Sequence, residues 1–145
     1  MHRHSEELST LDYVFTALSR KVRSLDFALV LHFAKSPDIN ALELGARSAR
    51  NKYPTTSSFV YGSRWEYMPT AAPAIELTRT TDEQKTIEHF MSLPFDIRVE
   101  LPCRQLLIQQ GPGNALLVSR FHHAAADGIS AALWLGHQLQ VANGL

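Results

Sequence analysis

Two strand-like runs, RQLLIQQ (104–110) and NALLVSRFHH (114–123), joined by Gly111-Pro112-Gly113, constrain the fold of this chain more than any other feature. Aliphatic residues fill successive positions in both, so each face of the resulting hairpin carries apolar side chains and needs cover. The GPGN segment joins strands and does not open a helix, which makes it a turn and not a phosphate loop. A helix is expected after Asp127-Gly128, closing the chain against the hairpin.

The rest of the chain supplies candidate layers. From Ser9, STLDYVFTALSR places Leu11, Val14, Phe15 and Leu18 at helical spacing, with Ser9 or Thr10 available as cap. LDFALVLHFA then puts Phe27, Leu29, Leu31 and Phe33 on one side of a strand and Ala28, Val30 and His32 on the other, apolar enough on both to suggest a strand inside a covered sheet. A second helix runs from about Asp38, carries Leu42, Ala46, Ala49 and Tyr53 on one stripe, and stops at Pro54. Its basic last turn, with Arg47, Arg50 and Lys52, fits the helix dipole. SSFVYGSRWEYMP reads as a hairpin around Gly62-Ser63, with Trp65 and Tyr67 as packing aromatics, and AIELTRT as another strand. Thr81 and Gln84 form the pattern of a capping box before a helix that buries Ile87, Phe90 and Met91. The order α-β-α-β-β-β-α-β-β-α describes an α/β sandwich: one mixed sheet with helices packed on it. No repeat or low-complexity linker divides the 145 residues, so a single domain over 1–145 is expected.

Charge excludes some functions. Fourteen basic residues balance fourteen acidic ones, so composition alone implies no basic face large enough to hold a nucleic-acid backbone. The single cysteine, Cys103, cannot form an internal disulfide and reads as a small buried thiol. The uncharged aliphatic runs are too short to span a bilayer, and the N-terminus lacks a signal-peptide core, so a cytoplasmic protein is expected. From Pro102 to Leu145 only Arg104, Arg120 and Asp127 carry formal charge. On the last helix, Ser130, His137, Gln138 and Gln140 stand where Lys or Glu would normally face water, while Trp134 packs it inward. Either something covers that region, a second copy or a partner domain, or the helix is mostly buried.

The hairpin ends in His122-His123-Ala-Ala-Ala-Asp127-Gly128. Period-two alternation places His123 beside Phe121 and Leu117, and His122 beside Val118 and Arg120, so the rings point apart. That argues against a shared metal ion, and no cysteine or glutamate cluster supplies further ligands. A catalytic imidazole at a strand end needs a fixed tautomer and access to a cleft, and His123 has that placement. Asp127 is placed to orient an imidazole or anchor the turn, Gly128 permits an unusual backbone angle or close approach, and the alanines keep the loop small, leaving room for a substrate. A structural pair of buried histidines fits the spacing as well.

HHAAADG also has the form His-His-x-x-x-Asp-Gly. In this it resembles the acyltransferase superfamily of chloramphenicol acetyltransferases, condensation domains of nonribosomal peptide synthetases, polyketide-associated acyltransferases, and wax ester synthases with their diacylglycerol acyltransferase relatives. LSTLDYVF is similar to the opening segment of that family, and PFDIRVELPCRQLLI to its Pro-Phe-Asp stretch before the hairpin. The three landmarks occur in family order. The resemblance implies a chloramphenicol acetyltransferase-like fold with His123 as general base, acting on an acceptor hydroxyl or amine that attacks an acyl thioester on coenzyme A or a phosphopantetheine arm. It implies no tightly bound cofactor, a supporting role for His122, an architectural Asp127 paired with an arginine outside the motif, and a Gly128 that lets the loop pass close to substrate.

Family members have two similar halves enclosing a cleft, whereas this chain resembles the N-terminal half. The resemblance therefore implies a site that is incomplete in the chain alone, finished by self-association or by a complementary C-terminal half, with a carrier protein as a further partner. A noncatalytic binding module that keeps the turn as structure is the alternative. His122 and Asp127 also satisfy the His-x-x-x-x-Asp spacing of membrane glycerolipid acyltransferases, but the flanking segments do not fit.

Overall fold

A computed structural model describes residues 5–7, 25–111 and 113–145. Seven strands form two sheets. Strands β2 (Asp26–Phe33), β5 (Glu76–Arg79), β6 (Cys103–Gln109) and β7 (Ala115–His122) make a four-stranded sheet of order β2-β7-β6-β5. Its first three strands are antiparallel and β5 runs parallel to β6, so the sheet is mixed. Strands β1 (Ser5–Glu7), β3 (Ser58–Tyr61) and β4 (Arg64–Tyr67) make a second sheet of order β1-β4-β3. Helices α1 (Ile39–Lys52), α2 (Glu83–Ser92) and α3 (Gly128–Ala142) complete the α/β sandwich. The helix expected from Ser9 lies outside the described residues.

The doubly apolar hairpin lies at the centre, as its composition requires. Leu107 faces Leu117 and Leu106 faces Val118 across the β6–β7 ladder. On one side Leu107, Ala115 and Leu117 meet Leu42 of α1, while Cys103 and Phe121 join Ala46, Ala49, Ala131, Trp134 and Leu135 of α1 and α3. On the other, Leu106, Ile108, Leu116 and Val118 pack on Phe90, Ile87 and Met91 of α2. Every residue of β7 is buried. Full burial of one such large apolar side chain contributes roughly 1.5–3 kcal/mol, and the strand spends this on both faces.

Several expectations need correction. β2 pairs along its whole length with β7 but forms the sheet edge, so Val30 and His32 on its second face are exposed. The hairpin at Gly62, whose φ of 60° suits the turn, belongs to a separate sheet because Trp65 and Val60 pack with Ile97 and Ala124 in a cluster of their own. β1 has no apolar alternation by which to find it. At α2 the cap is Asp82 and not Thr81: its Oδ1 accepts from Lys85 N at 3.1 Å, Thr80 Oγ1 accepts from Asp82 N at 3.0 Å, and Gln84 bonds Glu88 instead.

The cap of α1 is Asp38, which accepts from Asn40 N at 2.9 Å, and Tyr53-Pro54 ends the helix as expected. α1 crosses α3 at Gly45, where a Cβ would lie 2.2 Å from the Gln138 carbonyl oxygen. Gln138, expected on the outer face of α3, is fully buried there. Its amide and that of Gln105 donate to each other at 2.8 and 2.9 Å, with Ser119 Oγ and the Leu42 carbonyl as further acceptors. The polar letters of α3 thus hide an internal tie, while Ile129 and Leu133 are exposed. No helix among the described residues is long and apolar enough to cross a membrane.

Candidate active site

β7 stops at His122, and a turn of His123, Ala124 and Ala125 leads to Asp127 at the cap of α3. Backbone bonds fix this passage: His123 N donates to Leu25 O at 2.8 Å, His122 N to Pro102 O at 3.0 Å, and Ala125 N to His122 O at 3.0 Å. The two imidazoles diverge as the alternation predicts. His123 is exposed, and its ring lies 4.6 Å from that of Phe27, which stacks on Phe121 at 5.9 Å. His122 is 2% exposed on the opposite face, 6.0 Å from the Phe95 ring.

His122 Nδ1 accepts from Ala124 N at 3.1 Å, which puts the ring proton on Nε2, where it has no hydrogen-bond partner. Burial drives its pKa down from 6.5 to about 4, against the opposing pull of Asp26. The ring is therefore neutral near pH 7 and braces the turn. Arg120, on the same face, pairs with Asp26, donates to Phe90 O at 3.0 Å and covers the Phe95 ring at 4.6 Å. This buried pair ties β7 to β2 and α2.

Asp127 is exposed and does not touch either imidazole through any bond described. Its Oδ1 accepts from Ser130 N at 2.7 Å, and that bond lowers its pKa. The family resemblance implies an arginine partner, but Asp127 makes no arginine ion pair among the described residues. Asp127 caps α3, and no hydrogen bond among the described residues joins it to His122. Gly128 has no positive φ, and a Cβ there would meet nothing within 4 Å, so neither strain nor crowding in this chain demands glycine. The alanines do not leave the loop hollow. Ala124 packs on Val60 and Trp65, and Ala126 joins the Phe121 and Trp134 cluster.

The turn has a support that sequence reasoning missed. Thr55 Oγ1 donates to Ala125 O at 3.4 Å, and Thr56 Oγ1 accepts from Trp134 Nε1 at 3.0 Å while donating to Tyr53 O. Both threonines belong to a single 3-10 turn, Pro54–Ser57. Pro-Thr-Thr-Ser signals a turn, but nothing local says what it docks against. Cys103 is fully buried and its thiol is pushed up to about 12, which removes it as a nucleophile. No group of three potential metal ligands occurs among the described residues.

No protein-family model and no curated protein sequence matches the chain. Solved structures do. Over 98% of its length the chain superposes on 33% of a chain from the complex of the X-domain and OxyB of teicoplanin biosynthesis, with TM-score 0.87 and 18% identity. A variant of the starter condensation domain of the rhizomide synthetase RzmA, in complex with C8-CoA and Leu-SNAC, matches 94% of it with TM-score 0.82, 14% identity and 35% of its own chain covered. The condensation domain of the monacolin K polyketide synthase MokA matches 98% with TM-score 0.79, 14% identity and 35% covered. The fold is thus the one found in these condensation domains. The chain spans about a third of the length of these solved chains.

Proposed function

We propose that the chain supplies the histidine-bearing wall of an acyl-transfer site, with His123 as general base. The observation that carries this reading is the contrast between adjacent imidazoles: His122 is buried and held neutral as a brace, whereas His123 is presented outward from a strand end by a backbone bond and an aromatic shelf. The RzmA domain of the same fold binds C8-CoA and Leu-SNAC together, an acyl thioester and an amine-bearing thioester. In the proposed reaction the His123 imidazole takes a proton from an acceptor amine or hydroxyl as its heteroatom attacks the thioester carbonyl. The tetrahedral intermediate collapses, the C–S bond breaks, and the departing thiolate takes the proton back. The donor is a substrate carried on coenzyme A or a carrier protein, and no resident cofactor takes part. Because His123 lies on an open surface, the second wall comes from another copy or from a complementary half.

A binding role is the second reading. It is favoured by the X-domain match, a structure solved in complex with another protein, OxyB, and by an Asp127 occupied only with capping. Thiol release from octanoyl-CoA with an amine or alcohol acceptor separates the two, measured alongside solution mass for the chain and for His123→Ala. Acceptor-dependent release from an oligomer, lost in His123→Ala, supports transfer at a site completed between copies. A folded chain that releases no thiol, alone or with a complementary half, favours the binding role.

A further inference from the structure

The last turns of α1 carry a buried charge that no carboxylate among the described residues pairs. Arg50 is 6% exposed, its Nε makes no hydrogen bond, and no carboxylate among the described residues lies within ion-pairing distance of it. Its one close partner is the Trp134 ring, 5.7 Å from the guanidinium carbon. Ser57 is completely buried, and its Oγ is likewise unpartnered. Its place in the last turn of α1 suits the helix dipole, but its burial sets Arg50 apart from an ordinary end-of-helix cation.

Arg50 and Ser57 line one cleft of about 490 Å³, together with Arg47 one turn earlier on α1. That size suits a small organic molecule. Pro69, Pro73 and Ile75 also line the cleft and give it apolar surface. The carboxylate of the cleft, Glu43, is already committed: its Oε1 accepts from Ile75 N at 3.0 Å. A buried guanidinium and a buried hydroxyl, both with unused hydrogen-bonding capacity beside a second cation, form a receptor for an oxyanion.

We propose that this cleft binds a small organic anion, its carboxylate or phosphate head on Arg50, Ser57 and Arg47 and its apolar body against Pro69, Pro73 and Ile75. The site is independent of the acyl-transfer reading. It adjoins the histidine turn through the Pro54–Ser57 support, where Ser57 follows directly on Thr55 and Thr56, and through Trp134, which meets Arg50 and clusters with Ala126.

The test is an NMR titration of the isotopically labelled chain with butyrate, inorganic phosphate and uncharged 1-butanol at constant ionic strength, following the arginine Nε–H and backbone amide resonances. The expected result is a saturable shift of the Arg50 Nε–H signal and of the Ser57 and Ile75 amides with butyrate or phosphate, and the tighter of the two identifies the head group. Ser57→Ala removes a hydroxyl that bonds nothing in the free chain, so the fold should persist while affinity falls at least about tenfold. Arg47→Gln, at an exposed position, should weaken binding severalfold. Linear, unsaturable shifts with both anions overturn the proposal, as does butanol binding as tightly as butyrate, or undiminished binding by both variants.

Discussion

Lowering the pH should destabilise this protein through His122. The buried imidazole has a pKa of about 4 against 6.5 when ordinary, so between these values the unfolded chain binds a proton that the folded chain refuses. Stability is then fully present above about pH 6.5 and is lost as the pH falls toward 4. The 2.5-unit difference corresponds to about 3.4 kcal/mol in total, of which about 2.5 kcal/mol is lost between pH 7.5 and 4.5. Against a domain stability of about 5–15 kcal/mol this is a large fraction. The charged groups that act on the ring are Asp26 and Asp96, which favour its protonation, and Arg120 and His123, which oppose it; burial outweighs them all. Urea unfolding at pH 7.5, 6.5, 5.5 and 4.5 measures the loss, with fluorescence of the buried Trp65 and Trp134 as the reporter. His122→Asn serves as the comparison, since its side-chain oxygen can accept from the Ala124 N–H without titrating. The wild type should lose about 2.5 kcal/mol more than the variant over this range. Equal slopes for the two proteins, or an NMR pKa for His122 at or above 6, would refute the argument.

Other outcomes follow from geometry. Asp127→Ala should lower the thermal unfolding midpoint by removing the α3 cap, and Asp127→Ser should recover most of the loss. Gly45→Ala should cost roughly 1–3 kcal/mol or prevent folding, because its methyl group would collide with the Gln138 carbonyl across the α1–α3 crossing; chemical denaturation checks this. Gln138→Ala should cost about 1–3 kcal/mol by stranding the Gln105 amide, and a double-mutant cycle with Gln105→Ala should show strong coupling. His123→Ala, at an exposed position, should leave the urea midpoint nearly unchanged.

The sequence made the central hairpin legible because residues such as Leu106, Leu107, Leu116 and Leu117 declare burial on both faces without reference to anything distant. The divergence of His122 and His123 was legible for the same reason: alternation in a strand is local geometry. What failed depended on partners remote in the chain. Gln138 and Arg50 look like surface residues until α1 and α3 are brought together, and Thr55 and Thr56 reveal nothing of the loop they hold from 70 or more residues away. Edge and centre of a sheet are also assigned by neighbours, so β2 read as covered although one face meets solvent. The alanines of the turn were read as space when they are filler, because a small side chain fits a tight core as readily as an empty cleft.

The strict pairing of β7 also bears on how its sequence can vary. Its residues are matched one to one with β2 on one side, Asp26 to His122, and with β6 on the other, Cys103 to Phe121. Side chains alternate faces with every residue, so deleting or inserting one residue between Ala115 and Arg120 would exchange the two imidazoles, turning the buried ring outward and the outward ring into the layer beneath α2. Neither flanking strand offers slack to absorb the shift. The strand behaves as a reading frame in which a one-residue indel would be more damaging than most substitutions.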